Sequence, residues 1–93
     1  MQRRSEFVDL GGDVRQLASG SFGIAAGCID GVVRLYQEGA RAPWLELPGH
    51  HSTILSMAAD SAGELLASGS ADGEVIVWSA HCWAPVVRFM AAP

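Results

Sequence analysis

The side chains best suited to chemistry in this sequence are a serine, a histidine and an aspartate, at Ser68, His50 and Asp72. These are the residue types of a hydrolase triad, in which histidine activates the serine hydroxyl and a carboxylate orients the histidine. A nucleophilic serine also needs an exposed hydroxyl beside donors for the developing oxyanion. Ser68 lies instead in the middle of a predicted strand, where Trp78 also competes for its hydroxyl. We therefore expect no catalytic residue and keep a small serine hydrolase using Ser68 as an alternative.

Metal and phosphate sites are the other chemistry that these residue types suggest. The spacings of the candidate ligands match no common zinc pattern, in which close pairs flank a loop; they are His50, His51, His81, Cys28 and Cys82. The glycine-rich runs 27–31 and 69–73 resemble phosphate loops only superficially, because no lysine and no helix pattern follows either one. The sequence thus predicts no metal and no cofactor.

Composition limits the classes of partner. The 93 residues are 49% hydrophobic and 17% charged, so a surplus of apolar surface needs other proteins, further parts of a larger fold or copies of the same chain to cover it. The net charge of -4 disfavours nucleic acid and anionic lipid. No apolar run approaches the roughly 20 residues of a membrane span. We expect an intracellular protein, cytoplasmic or nuclear, with no membrane or nucleic-acid partner.

A repeat organises the chain. When the sequence is shifted by 42 residues, apolar, small, turn and aromatic positions coincide, as in Ile24 with Leu66, Asp30-Gly31 with Asp72-Gly73, and Tyr36 with Trp78. A period of about 40 to 45 residues built from short β-rich runs is typical of propeller blades rather than helical solenoids. The Asp-Gly pairs favour hairpin turns.

The repeat predicts an all-β fold of two four-stranded antiparallel β-propeller blades, a partial propeller. The expected strands are residues 14–18, 22–28, 32–37 and 43–47, then 54–59, 64–69, 74–79 and 85–90. The first repeat is shorter between its first two strands, which predicts a tighter turn there. Residues 1–13 form an N-terminal segment, in which residues 6–10 are a candidate outer strand of a preceding blade. The first blade is assigned to residues 14–48 and the second to residues 49–93.

The second repeat resembles the WD-repeat family. It carries Gly49-His50, Leu66-Ala67-Ser68-Gly69-Ser70, Asp72-Gly73 and Trp78 at the family's spacings, with Ser79 where the family's Trp-Asp pair has its aspartate. The resemblance implies a hydrogen-bond network that locks the blade, formed by His50, Ser68, Asp72 and Trp78. In it the indole donates to the serine, the serine to one imidazole nitrogen, and the other imidazole nitrogen to the carboxylate.

The first repeat is a degenerate version of this pattern. It retains Asp30 but has Ala26 and Tyr36 where the second repeat has Ser68 and Trp78, and it offers no equivalent of His50. We therefore expect the first blade to lack the lock and to be the less stable one.

The resemblance implies a non-enzymatic protein-protein interaction scaffold that acts within a larger propeller or multiprotein assembly. A purely structural subunit of a large complex is the alternative within the same fold. Partner contacts are expected at loop residues beside the network and at one exposed aromatic, namely His51, Ser52, Thr53, Ala71 and Trp83, whereas Trp44 is expected in the strand core. Three structural outcomes follow: a piece of a longer propeller, several copies assembled into a ring, or an open and weakly stable pair of blades. The candidate outer strand at residues 6–10 favours the first.

Overall fold

Two four-stranded antiparallel sheets make up the computed structural model, which describes residues 14–37, 39–40 and 42–91. The first sheet contains β1 (Val14–Gly20), β2 (Gly23–Cys28), β3 (Val32–Tyr36) and β4 (Leu45–Pro48); the second contains β5 (Ile54–Ala59), β6 (Leu65–Ser70), β7 (Glu74–Ser79) and β8 (Pro85–Met90). In each sheet the strands lie side by side in chain order. The prediction of two all-β, four-stranded units is confirmed, and the expected strand at residues 6–10 falls outside the described residues.

Asp-Gly turns join the middle strands of both sheets. The Val32 N–H donates to Asp30 Oδ1 at 3.2 Å, and the Glu74 N–H donates to Asp72 Oδ1 at 3.2 Å. Gly31 and Gly73 follow with φ of +84° and +93°, a region that L side chains rarely adopt. An aspartate that accepts from the residue after such a glycine gives each hairpin its tight turn.

The inner hairpins differ in length between the two sheets, as the sequence predicts. Residues 21–22 alone connect β1 to β2, whereas residues 60–64 connect β5 to β6. In the longer connection the N–H groups of Glu64 and Leu65 donate to Asp60 Oδ1 at 2.8 and 3.1 Å. These backbone donors, that of Leu65 above all, lower the pKa of Asp60 below its ordinary value.

The core lies between the two sheets. Strands β6 and β7 alternate between buried residues and half-exposed ones, so one face of the second sheet is covered and the other is not. The covered face packs against the first sheet in one buried cluster, formed by Ala25, Val33, Leu35, Leu47, Ile54, Leu66, Ile76 and Trp78. Stacked sheets of this kind bury apolar surface that neither could bury alone.

A glycine allows the close approach of the sheets at the centre of this core. A Cβ atom on Gly27 of β2 would lie 2.6 Å from Ile54 Cγ2 and 2.7 Å from Met57 Sδ of β5. Ile54 therefore fits into a hollow that exists only because residue 27 has no side chain.

Candidate functional site

Trp78, Ser68 and His50 form a chain of buried hydrogen bonds on the covered face of the second sheet. Trp78 Nε1 donates to Ser68 Oγ at 3.0 Å, and Ser68 Oγ lies 2.7 Å from His50 Nε2. Strand β7 supplies the indole, β6 the hydroxyl, and the segment before β5 the imidazole. Because an indole N–H can only donate, Ser68 accepts from Trp78 and gives its own proton to Nε2. This assignment places the imidazole proton on Nδ1.

A glutamate faces that nitrogen. Glu74 Oε1 lies 3.6 Å from His50 Nδ1, which is an ion-pair distance but longer than a hydrogen bond. Neither atom has a hydrogen-bond partner among the described residues. The other carboxylate oxygen, Oε2, accepts from Arg88 Nη1 at 3.0 Å, and the same nitrogen donates to the Gly49 carbonyl at 3.2 Å. The network thus continues from Trp78 to the outer strand β8.

Asp72, expected to hold His50, is placed elsewhere by the structure. Its carboxylate accepts a short hydrogen bond from the Ser70 hydroxyl and another from the Glu74 N–H at 3.2 Å. The Ser70 hydroxyl is the main cause that lowers the pKa of Asp72 below its ordinary value. The predicted contact between Asp72 and His50 is therefore replaced by the contact between Glu74 and His50.

The sequence contains a signal that identifies Glu74. Asp72 lies in an exposed turn, whereas Glu74 alternates with Ile76 and Trp78 and so points to the same buried side of β7. An acidic residue on a buried face needs a partner, and Arg88 and His50 meet that need. Sequence reasoning missed both Glu74 and Arg88 because it followed the family's aspartate instead of the strand alternation.

Burial determines the charge state of His50. It lowers the pKa of the imidazole below its ordinary value, although the Glu74 carboxylate acts in the opposite direction. Ser68 is 1% exposed, and Trp78 and His50 both occupy its hydroxyl. A nucleophile needs a free approach for its substrate. This geometry supports a structural network rather than a hydrolase triad.

The first sheet carries a surface ion cluster in place of the network. Asp30 accepts from Arg34 Nη1 at 3.2 Å and from Nη2 at 2.9 Å, and Arg34 Nε donates to Glu46 Oε2 at 2.8 Å. The guanidinium of Arg34 lowers the pKa of Asp30 below its ordinary value. Tyr36 is buried, and burial raises the pKa of its hydroxyl. Ala26, also buried, supplies no hydroxyl where the second sheet has Ser68.

Two of the loop residues expected to contact partners are used within the chain. Ser52 Oγ accepts from the Asp72 N–H at 3.1 Å, and Thr53 Oγ1 donates to the Ile29 carbonyl at 3.0 Å. Thr53 therefore connects the segment before β5 to a turn of the first sheet, and Ser52 connects the same segment to the Asp72 turn of the second sheet. His51 and Ala71 are exposed.

Three aromatic rings meet where loops of the two sheets adjoin. Trp83 makes edge-to-face contacts with Phe22, at a centroid distance of 5.5 Å, and with Trp44, at 6.4 Å. Trp83 is only half-buried and packs against the core, with φ of +53°. Trp44 is 46% exposed and precedes β4, so the expectation that it packs as strand core is wrong.

The uncovered side of the second sheet is the other feature that could bind a partner. We call it the open face, and the strand register places on it Ser56, Ala58, Leu65, Ala67, Gly69, Val75, Val77, Ser79, Val87 and Phe89. Every one of these is apolar, a glycine or a serine. Val87 and Phe89 are 47% and 49% exposed, so large apolar groups meet solvent here.

The described ranges contain neither a metal-ligand cluster nor a membrane-spanning helix. Within them, no three histidine, cysteine, aspartate or glutamate side chains come together as a metal site would require. In the same part of the chain, no helix is long and apolar enough to cross a bilayer.

The segment that carries the network matches a known protein family. Residues 42–79 match the family model described as "WD domain, G-beta repeat". Residues 42–79 are a WD repeat. The His50, Ser68 and Trp78 network therefore lies within the matched segment, together with Glu74. A comparison with curated proteins finds no match.

Solved structures place this WD repeat in a propeller fold. A chain in the crystal structure of the Mitotic Checkpoint Complex aligns at 27% identity with a TM-score of 0.75, over 82% of this chain. The computationally designed Ika8 protein aligns at 25% identity with a TM-score of 0.73, over 85%. The Cps50 (Swd1) β-propeller domain of Myceliophteria thermophila aligns at 21% identity with a TM-score of 0.74, over 86%, a likeness that shows the fold alone.

The chain covers only 24%, 24% and 25% of these three chains, respectively. The two sheets are thus two blades of a partial β-propeller. We refer to the first sheet as the first blade and to the second sheet as the second blade.

Proposed function

We propose that this chain is a non-enzymatic protein-binding scaffold that acts within a larger propeller or multiprotein assembly. WD-repeat propellers are generally protein-interaction scaffolds, and this chain has the fold of two such blades. The observation that carries the proposal is the open face, which extends across all four strands of the second blade without a charged side chain. Exposed apolar surface of this extent is typical of a protein interface.

The buried network supports the same function. It connects strands β6 and β7 and the segment before β5 through Trp78, Ser68, His50 and Glu74. Buried hydrogen bonds such as those that join Trp78, Ser68 and His50 fix one arrangement of the strands. A rigid second blade then presents the open face as a preformed surface, which lowers the entropic cost of binding.

Site-specific photo-crosslinking tests the proposal. A benzoylphenylalanine at Phe89, on the open face, should form adducts with other protein chains in cells that express the full 93-residue protein. The matched control is the same substitution at Ile29, which is 42% exposed and lies in the turn between β2 and β3. We expect discrete adducts at position 89 and few at position 29, with bands excised and identified by mass spectrometry.

Two outcomes would count against this function. Equal crosslinking at the two positions, or none at position 89, would mean that the open face is not the binding surface. Labelling of folded protein by a fluorophosphonate at Ser68 would revive the hydrolase alternative, since only an activated serine reacts with such a probe.

A further inference from the structure

Phe22, Trp44 and Trp83 form an aromatic group, which we call the aromatic corner, that the blade repeat does not require. The equivalent positions of the other repeat carry no aromatic residue, but Glu64, Val86 and Arg41. The three rings come from connections rather than from strands: the turn between β1 and β2, the segment before β4 and the segment before β8. Loop residues that the fold does not demand, and that nevertheless converge, indicate a binding surface.

The two indoles of the aromatic corner form two apolar walls. The ring centroids of Trp44 and Trp83 lie 6.4 Å apart, and their planes are inclined by 74°. Phe22 supports Trp83 with a nearly perpendicular contact at a centroid distance of 5.5 Å. Phe22 and Trp83 also pack against the core between the blades, whereas Trp44 is 46% exposed. The corner therefore has one wall anchored in the core and one wall that faces solvent.

Hydrogen bonds fix the backbone at both tryptophans. The Trp44 N–H donates to the Leu35 carbonyl at 2.8 Å, and the Trp83 N–H donates to the Ser79 carbonyl at 2.7 Å. Trp83 has φ of +53°, which is uncommon for a bulky residue, and its packing on Phe22 holds it there. The walls are thus positioned before a ligand arrives, which reduces the entropic cost of binding.

Each wall of the aromatic corner also keeps a hydrogen-bond donor for a ligand. The third tryptophan of the chain, Trp78, is buried and donates through Nε1 to Ser68. Among the described residues, the indole nitrogens of Trp44 and Trp83 have no such acceptor, and that of Trp83 is not buried. Because an indole N–H can only donate, a ligand that fits this surface must combine an apolar body with acceptors.

We propose that the aromatic corner binds a proline-rich segment of a partner protein in the polyproline II conformation. A proline ring is rigid and apolar, and aromatic-lined surfaces bind such rings. The polyproline II backbone has no internal hydrogen bonds, so its carbonyls can accept from the two indole nitrogens. Proline has no N–H, so the segment brings no backbone donor that would need a partner of its own. The site goes beyond the function proposed above, because it lies on loops and not on the open face.

A cationic ligand fits the aromatic corner less well. A cation binds over the face of an aromatic ring, where the ring quadrupole is negative, and is repelled by the ring edge. It offers no acceptor to the indole N–H groups of Trp44 and Trp83. The carboxylate of Asp60, in the neighbouring connection of residues 60–64, already accepts from the N–H groups of Glu64 and Leu65. The free donors therefore favour a ligand that carries carbonyl groups.

A titration with decaproline followed by NMR tests the proposal. The full 93-residue protein, labelled with ¹⁵N, has three indole N–H resonances, those of Trp44, Trp78 and Trp83. Decaproline should shift the resonances of Trp44 and Trp83 in a saturable manner. The Trp78 resonance should stay in place and serve as an internal reference, because its N–H is bonded to Ser68 in the core. A glycine-serine peptide of equal length is the ligand control and should shift none of the three.

Two variants locate the binding surface. Trp44→Ala removes the exposed wall and should weaken decaproline binding by about tenfold or more, measured from the titration of the Trp83 resonance. It should retain the fold, because Trp44 is not part of the buried core. Phe89→Ala is the matched control; it removes an aromatic ring of similar exposure, 49% against 46%, from the open face and should leave decaproline binding unchanged.

Three results would overturn the proposal: no shift of the Trp44 and Trp83 resonances at millimolar decaproline, equal shifts with the glycine-serine peptide, or undiminished binding in Trp44→Ala. Shifts of the same two resonances by tetramethylammonium, without a response to decaproline, would replace the proline site by a cation site. Crosslinking at position 89 reports on the open face alone, since the two surfaces share no residue. Failure of the proline site would therefore leave the scaffold function untouched, and the reverse also holds.

Discussion

Glu74 introduces a negative charge on the buried side of β7, where two neighbouring groups compensate for it. Arg88 donates to one carboxylate oxygen at 3.0 Å, and His50 Nδ1 faces the other at 3.6 Å. Removing Glu74 leaves the buried His50 without its facing carboxylate and the half-exposed Arg88 without its ion pair, and breaking a buried pair in this way is destabilising. At the scale of single residues, Glu74 is therefore the acidic group on which the second blade depends.

Exchange of the two acidic residues for alanine tests this role. Glu74→Ala should lower the free energy of unfolding by about 2 kcal/mol, because His50 loses its facing carboxylate and Arg88 retains only the Gly49 carbonyl. Asp72→Ala is the matched control; it should cost less, since the carboxylate of Asp72 is exposed and accepts from the Ser70 hydroxyl and the Glu74 N–H of its own turn. Urea denaturation followed by tryptophan fluorescence measures both. A larger loss for Asp72→Ala would reassign the network to the aspartate.

The stability of the blade pair should depend on pH through His50. Burial holds the pKa of its imidazole below the ordinary value of 6.5, so the unfolded chain binds this proton more readily than the folded chain. The contribution of His50 is complete above about pH 6.5 and declines as the pH falls below it. We expect the urea midpoint to decrease between about pH 7 and pH 5.5, and to decrease less in His50→Gln. The same decrease in both proteins would mean that another group is responsible.

At the scale of strands, the equivalent glycines of β2 and β6 have different surroundings. Gly27 faces Ile54 across the interface between the blades, whereas a Cβ atom on Gly69 would meet, among the described residues, only Ser56 Oγ. The same residue type is thus a packing requirement in one strand and a vacant position in the other. The difference follows from what covers each strand and not from the strands themselves.

Alanine substitution at both glycines measures this difference. Gly27→Ala should lower the free energy of unfolding by about 1 to 3 kcal/mol, because the new methyl group overlaps Ile54 Cγ2 and the sheets must separate. Gly69→Ala should change it by less than about 0.5 kcal/mol, since Ser56 Oγ can rotate away. Thermal denaturation monitored by circular dichroism compares the two. Similar losses at both positions would show that another group already occupies the space beside Gly69 in solution.

For the whole molecule, the sequence predicted the architecture well because the repeat carries it. The 42-residue spacing predicted the eight strands, and the expectation of a shorter inner hairpin in the first sheet proved correct. The contacts of individual side chains were less predictable. Trp44 is half-exposed, Thr53 bonds across the blades to the Ile29 carbonyl, and Ser52 bonds to the Asp72 turn, contacts that depend on how separate loops meet. Such long-range geometry has no local signature.

The family pattern itself limited the prediction of the network. It pointed to His50, Ser68 and Trp78, which the structure brings together, and also to Asp72, which the structure does not join to them. Glu74 could have been recognised from its place on the buried side of β7. Its link to Arg88 depends on the register of β8, in which Ile76 rather than Glu74 pairs with Arg88, and that register has no marker in the sequence.

Arg88 also interrupts the run of apolar side chains in the outer strand β8. This outer strand exposes Val86, Val87, Phe89 and Met90, and such an apolar edge strand can template the addition of strands from other molecules into fibrils. A charge in the middle of the run, and a proline at its first residue, oppose that growth. Arg88 and Pro85 occupy these two places, so the guanidinium that anchors Glu74 also acts as a gatekeeper against amyloid-like association.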